Sequence, residues 1–490
     1  MDALPEELYR PEQVAALDRR AIDTCGVPGA LLMERAGVAA YRTLRERWPG
    51  CRALCVLCGG GNNGGDGYVI AALARRDGLD VEVLYLSDPE RLQGDAAAMA
   101  ARYRATGGPW RAFEGELPAQ AEVIVDAMLG TGLQRPVEGR YRDAVDCVNA
   151  SGLPVLAADI PSGLHGATGA VLGVAVRADL TATFIGLKAG LFTGQGPAYA
   201  GTVQFAGLDV PPETYDGAAP CARRVDYAGL RHWFPPRARD AHKGRFGHVL
   251  VVGGDHGTGG AVLMAARAAA RSGAGLVSVV TRGAHVAGCL AACPELMVHE
   301  PDDLESLLER VDVVIAGPGL GMHAWGRDLL ARVRAFEGPA VLDADALNQL
   351  AETPEHDDRR VLTPHPGEAA RLLGWTTAAV QGDRLRAAEA LCQGFGGVAV
   401  LKGAGTVIQA PGGLPSVCTD GNPGMASGGM GDVLSGLVGG FLAQGMSPRD
   451  AAVAGVCVHA AAADRAAAAG ERGMLATDLL DPVRALVNPR

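Results

Sequence analysis

With 490 residues the chain exceeds one ordinary domain, and length alone predicts two or three cores that can each fold independently. Charged residues make up 20% and aromatic residues 5%, with abundant Ala, Gly and Val, a composition of α/β proteins that excludes extended disorder. A formal net charge of -11 argues against a nucleic-acid partner, which needs a basic surface, so any anionic ligand must be held by local devices.

The start, Met1-Asp-Ala-Leu-Pro-Glu-Glu7, has no basic segment followed by an apolar one, and no run reaches the uninterrupted apolar length of a membrane span. The expectation is a cytoplasmic chain without a membrane partner. Val14, Leu17, Ala21 and Ile22 at helical spacing predict an opening helix, which Gly26-Val-Pro-Gly29 breaks before Leu31-Leu-Met-Glu34. Apolar runs then alternate with helical stretches: Ala53 to Cys58, Val81 to Leu86, Val123 to Met128, Pro154 to Ala158, Leu180 to Ile185 and Thr202 to Ala206. That rhythm predicts parallel strands with helices on both faces.

Eleven cysteines, an odd number mostly in apolar surroundings such as Cys289, Cys392 and Cys457, predict reduced core thiols. Cys51, Cys55 and Cys58 have a CxxxCxxC spacing that can ligate an iron-sulfur cluster. They run through a buried strand, however, on which alternate residues face opposite sides, so Cys55 and Cys58 diverge.

Gly59-Gly-Gly-Asn-Asn-Gly-Gly-Asp-Gly67 follows that strand and is predicted as a loop before a helical run from Tyr68 to Arg75. Such a loop offers backbone N–H groups to an anion at a helix N-terminus, where the dipole favours negative charge. Residues 59 to 64 satisfy GxGxxG, a weak dinucleotide signal alone, and no Lys-Ser or Lys-Thr follows, which excludes a Walker A loop. Six glycines with two Asn and one Asp exceed the needs of a plain turn, and Asn62, Asn63 and Asp66 suit either substrate hydroxyls or a hard cation. Asp126 and Asp159 close two further strands, where open α/β sheets place their ligands. An isolated Asp at a strand end can equally be a cap or Asx-turn residue.

Pro211-Pro212, Asp216-Gly217 and Pro235-Pro236 mark residues 211 to 239 as the linker. Alternation then restarts with strands expected at His248 to Val252, Gly275 to Thr281, Val311 to Ala316, Ala340 to Asp343, Val361 to Thr363, Val398 to Lys402 and Thr406 to Gln409, before Ala-rich helices from Gly429 to about Gly470. No internal repeat is visible, so the halves are read as different folds. Gly253 to Ala261, Gly317-Pro-Gly-Leu-Gly321, Asp343-Ala-Asp345, Thr363-Pro-His-Pro-Gly-Glu368, Lys402-Gly403 and Ser427 to Val433 each lie where a strand ends or a helix begins. Phosphoryl transfer from a nucleotide needs such a row along one sheet edge. Gly428-Gly-Met-Gly431 leaves a helix N-terminus open to a migrating phosphoryl group, and Asp432 is placed to accept a hydroxyl proton. Dipole preference alone explains the Asp but not the small residues before it. His365, between two prolines, is rigidly presented, whereas His459 in Val458-His-Ala-Ala461 reads as a core or groove histidine.

Leu32-Met-Glu-Arg-Ala-Gly37, Gly61 to Gly67, Asp126 to Arg135 and Asp159-Ile-Pro-Ser-Gly163 together resemble the NAD(P)H-hydrate epimerase family over residues 10 to about 210. The resemblance implies a Rossmann-like doubly wound domain, 1–222. Its substrate site would be lined by Asn62, Asn63, Gly64, Gly65 and Asp66 and by Gly130, Thr131, Gly132, Leu133, Gln134, Arg135 and Pro136. Asp159 would be the acid/base residue, and Asn62 or Asn63, Asp126 and Ser162 would hold K+. Some family members carry a Lys beside the site where this chain has Gln134 and Arg135, which leaves a second catalytic group open.

Asn422 to Asp432, Gly317 to Gly321 and Thr363 to Glu368 resemble the ADP-dependent (S)-NAD(P)H-hydrate dehydratases, within the ribokinase-like superfamily. What this implies is an α/β/α sandwich, 223–490, in which Ala261, Gly319 and His365 touch the hydrated nucleotide. Lys402, Gly403, Ala404, Gly405, Thr406 and Gly431 would hold ADP, and Asp432 would be the base. NADHX, NADPHX and ADP are the implied small molecules, with Mg2+ expected on charge grounds to accompany ADP and a symmetric homo-oligomer favoured. Three rivals remain: a vitamin-precursor kinase of the same superfamily, a first half kept only as a binding module, and a flavin or NAD oxidoreductase using Gly59 to Gly64.

Overall fold

The computed structural model describes residues 4–489 and divides the chain into two units, 1–223 and 224–490. In the first, seven parallel strands are ordered Trp110–Ala112, Asp80–Tyr85, Ala53–Cys58, Val123–Ala127, Val155–Ala158, Leu180–Phe184 and Thr202–Ala206. Ala53–Cys58 is buried throughout, because a central parallel strand is covered on both faces. Its side chains divide accordingly. Cys58 and Val56 join the core under the helices Gly29–Arg47 and Asn62–Arg76, whereas Cys55 and Leu57 join Phe113, Val145 and Val148 on the other face. The two cysteines therefore diverge as the strand period requires.

Strand order reverses between Ala53–Cys58 and Val123–Ala127, so the chain leaves these neighbours in opposite directions and opens a crevice beyond their C-terminal ends. The second unit repeats the principle. Its parallel strands run Met297–His299, Leu276–Val280, His248–Val252, Val313–Ala316, Ala340–Leu342, Arg360–Leu362 and Val398–Leu401, with Val407–Gln409 and Ser416–Cys418 added antiparallel. Reversal falls between His248–Val252 and Val313–Ala316. On one face the helix Met430–Ala443 packs so closely on Gly259–Ser272 that a Cβ at Gly436 would stand 2.2 Å from the Ala265 carbonyl oxygen.

Two expectations are corrected. The glycine stretch is mostly helix, since Asn62–Arg76 is helical and only Gly59 to Gly61 remain as loop. Poor helix formers are held there by packing: a Cβ at Gly64 would lie 2.1 Å from the Gly59 carbonyl oxygen. The segment 211–239 is not a bare linker either, because it contains the strand Ala222–Val225 and the helical turn Tyr227–Leu230. Leu230 and Phe234 are buried in the core of the second unit.

Candidate active sites

A cavity of about 830 Å³ opens at the reversal point of the first unit. Asn62, Asn63 and Asp66 line it from the helix start, Gly130 to Arg135 from the loop after Val123–Ala127, and Asp159 from the next strand end. Three residues of the expected substrate set stay outside the lining. Gly64 and Gly65 are buried, the latter with its Cα turned toward the Met33 sulfur, and Pro136 lies exposed beyond the loop. The two glycines leave room for the Gly59 carbonyl and the Met33 side chain.

Asp159 adopts φ +64°, and Ile185, also in the lining, φ +61°. Left-handed backbone at a β-branched residue costs on the order of 1–3 kcal/mol and persists where the surroundings enforce it. Here the two bent strand ends bring Asp159 onto Lys188. The Lys188 ammonium donates to Asp159 Oδ1, to Thr183 Oγ1 at 3.2 Å and to the Phe184 carbonyl oxygen at 2.9 Å, with its side chain 1% exposed. Sequence reading had sought a lysine near Gln134 and missed this one. The signal was available: only three lysines, at 188, 243 and 402, occur among 44 Lys and Arg.

Beneath the cavity Asp126 is fully buried, accepting from Ser162 Oγ at 2.6 Å, Ser162 N at 2.8 Å and Met128 N at 3.2 Å. Burial pushes its carboxyl up to about 6 against those hydrogen bonds. Both polar atoms of the buried Asn63 amide lack a partner among the described residues. A buried carboxylate without a counter-cation beside an unpartnered amide suits a monovalent cation held by oxygen, so the donor set fits K+. Asn62 is exposed, which favours Asn63 of the two.

In the second unit the loops at the reversal point interlock. Asp255 N and Thr258 Oγ1 donate to the Gly319 carbonyl oxygen at 2.6 and 2.9 Å, placing Gly319 beside the helix that carries Ala261. Arg282, unnoticed in the sequence, bonds Asp255 Oδ1 at 2.8 Å and lies over the Trp325 ring at 4.2 Å. His365 is an N-cap: its Nδ1 accepts from Gly367 N at 2.9 Å, and Glu368 Oε2 accepts from His365 N at 2.8 Å. One ring nitrogen is thereby committed to the helix.

Asp432 stands in the first turn of Met430–Ala443, half-buried, and burial with Asp343 pushes its carboxyl up to about 7 while Lys402 opposes. Lys402 was expected only among the ADP contacts. Its ammonium bonds Asp343 Oδ1 at 2.8 Å and lies 3.9 Å from Glu368 Oε2, directly under the helix start, where a Cβ at Gly431 would be 3.1 Å away. Ser435 Oγ donates to Asp343 Oδ2 at 2.6 Å, and Ala344, next in chain, has φ +46°. The loop from Gly403 to Thr406 follows, closed by Thr406 Oγ1 donating to the Gly403 carbonyl oxygen at 2.9 Å. Buried Arg384 holds its base through the Leu401 and Lys402 carbonyl oxygens at 3.0 and 3.1 Å. His459 lies inside, where burial pushes its imidazole down to about 4.

Residues 29–190 match the family model described as YjeF-related protein N-terminus, and residues 249–484 that described as NAD(P)H-hydrate dehydratase. The bifunctional NAD(P)H-hydrate repair enzyme Nnr of Coxiella burnetii is 48% identical over 98% of this chain and 99% of its own length. The enzyme of the same name from Escherichia coli is 46% identical over 99% of this chain and 95% of its own. Among solved structures, a ribokinase-like superfamily protein from Enterococcus faecalis is 31% identical with a TM-score of 0.50, covering 54% of this chain and 95% of that one.

Proposed function

The chain belongs to the bifunctional NAD(P)H-hydrate repair enzyme family, and from that premise we propose that its two sites act in series on hydrated NADH and NADPH. Residues 1–222 interconvert the R and S forms at C6, with Asp159 as acid/base and Lys188 holding that carboxylate in place. Residues 223–490 phosphorylate the C6 hydroxyl of the S form. Asp432 takes the hydroxyl proton as its oxygen attacks the terminal phosphorus of ADP, AMP departs, and the ring nitrogen lone pair then expels phosphate; loss of the C5 proton restores the dihydronicotinamide. The observation that carries this reading is the half-buried Asp432 beside Lys402 at a helix start built of small residues.

Lys402 and the N–H groups of residues 428 to 431 would meet the transferring phosphoryl group, and the loop from Gly403 to Thr406 would hold the nucleotide. Ala261, Gly319 and His365 would face the hydrated ring or its ribose. Mg2+ would come as a companion of ADP, held by its phosphates. Bound with the phosphates, it would neutralise their charge. K+ would rest on Asn63, Asp126 and Ser162, where it would offset the buried Asp126 carboxylate. Eleven free cysteines are consistent with a reducing cytoplasm, and among the described residues no helix is long and apolar enough to cross a membrane.

Purified S-hydrated NADH incubated with the chain and ADP should regain the absorbance of reduced nicotinamide with stoichiometric AMP and phosphate. Accumulation of a stable phosphate ester instead would identify a small-molecule kinase, and no turnover would end the dehydratase reading.

A further inference from the structure

The epimerisation proposed for the first unit makes a demand that Asp159 alone does not meet, and the case for a second carboxyl rests on that epimerase reading. Carbon C6 bears a hydroxyl and the ring nitrogen. Its configuration is lost when the C6–O bond breaks, the oxygen leaving as water with a proton from an acid while the nitrogen lone pair forms a C=N bond. Configuration returns when water adds to the other face, the C=N pair going back to nitrogen and the surplus proton to a base. The leaving and entering oxygens stand on opposite faces of the ring, so one proton is given on one side and another taken on the other, and a single fixed carboxyl reaches only one of them.

The helix Pro11–Asp23 supplies a second carboxyl. It lies outside the matched segment 29–190, and its Val14 and Leu17 are buried in the core while Asp18 lines the same cavity as Asp159. Among the described residues none donates a hydrogen bond to the Asp18 carboxyl, so its oxygens are available to a ligand. Facing it are Lys188 and Asp159 from the sheet edge, Asp66 from the helix Asn62–Arg76, Tyr215 from the turn Pro212–Tyr215, and Arg19 from its own helix.

We propose that Asp18 is a catalytic residue of the first unit, the acid that exchanges a proton with the C6 oxygen while Asp159, fixed by Lys188, acts as its opposite. Burial pushes the Asp18 carboxyl up to about 6, Lys188 pulls against that shift, and Asp159 reinforces it. Two carboxyls whose surroundings differ in this way divide acid from base work. Asp159 has a buried ammonium on one oxygen; Asp18 has none. Asp66 is buried more deeply and its carboxyl is pushed well above the usual range, which suits a group that donates a hydrogen bond without releasing its proton. Asp18, only half-buried, recovers its proton from solvent between turnovers.

The test uses the full chain with ADP, following repair of the R form and the S form separately after subtracting the enzyme-free rate. Asp18→Asn should slow R conversion about 10²- to 10³-fold and leave S repair unchanged. Wild-type R conversion should fall as pH rises above about 6, where the acid loses its proton, and the residual activity of Asp18→Asn should lack that limb. Retention of R conversion within about twofold, with the wild-type pH profile, overturns the proposal. If Asp18→Asn unfolds the first unit, the wild-type profile decides: a flat response from about pH 5 to about pH 9 overturns it as well. Asp159→Asn tells the two possible failures apart. Its loss of R conversion beside an active Asp18→Asn sinks the role of Asp18 alone, whereas full activity in both sinks the epimerase reading.

Discussion

Two of the three lysines, one buried and one half-buried, stand against aspartates at strand ends, and the two pairs do opposite things. Lys188 spends its hydrogens on Asp159, Thr183 and the Phe184 carbonyl, so it is a saturated counter-charge fastened to the candidate catalytic carboxylate itself. Lys402 bonds Asp343, a carboxylate that this ammonium holds below its usual range despite burial, and keeps donors free beneath the helix start. The candidate base there is a third residue, Asp432, left without an ion pair and pushed up to about 7. One arrangement fixes a charge in place; the other keeps a proton acceptor near neutrality and reserves the cation for an incoming phosphate. Arginine could serve neither role as well, because its planar fork does not reproduce a compact ammonium that rotates to meet several oxygens.

The sharpest break of that contrast is Asp432→Asn, which should lower S-form dehydration about 10²- to 10⁴-fold in the NADH-recovery assay while R-to-S conversion persists. The same change should stabilise the second unit. Because the folded-state value of Asp432 is raised, its ionisation opposes folding at pH 8, and that cost shrinks as pH falls from about 7 towards 4. Discounted for partial exposure, the gain is on the order of 1–2 kcal/mol at pH 8, read as a higher unfolding midpoint that converges with wild type in acid.

Lys188→Met attacks the other pair and should do the reverse, lowering both activity and stability. Removing one partner of a buried pair costs about 3–5 kcal/mol, and Asp159, 17% exposed to the cavity, places the loss near the lower end. Denaturant unfolding of the first unit would measure it, and an unchanged midpoint would show that Lys188 is not the counter-charge of Asp159. Smaller again is Gly64→Ala, where the added Cβ has 2.1 Å to the Gly59 carbonyl oxygen. Backbone must shift, costing about 1–3 kcal/mol. If that glycine served only to contact substrate, stability would hold and only KM would rise.

These positions also mark where the sequence was readable. Central strands such as Ala53–Cys58 and His248–Val252 were visible as apolar runs because parallel strands are buried on both faces. Three-residue strands, Trp110–Ala112, Met297–His299 and Ser416–Cys418, carry too few side chains to show a period. The helix start at Asn62 was hidden because Asn-Asn-Gly-Gly-Asp-Gly reads locally as a turn, and tertiary packing overrides that preference. Asp159 and Asp432 were legible from motif position, but their environment was not. Lys188 follows an apolar strand across a Gly-Leu step, and Asp18 has the spacing of any solvated helix face; each acquires meaning only when distant segments meet at the crevice.

The finest test of the contrast concerns Asp345. Its carboxylate helps to raise Asp432, after burial and Asp343, while its Oδ2 accepts from Gly321 N at 2.8 Å. Asparagine keeps an oxygen for that bond and removes the charge, so Asp345→Asn should leave the fold and Lys402 in place. Dehydration should rise with pH as Asp432 ionises through about 7 in the wild type, and the variant should bring that limb to lower pH by a few tenths of a unit. The displacement should shrink in high salt, since Asp345 is half-buried and its field is screened. A limb that stays where it was, or moves upward, would mean that a group other than Asp432 accepts the hydroxyl proton.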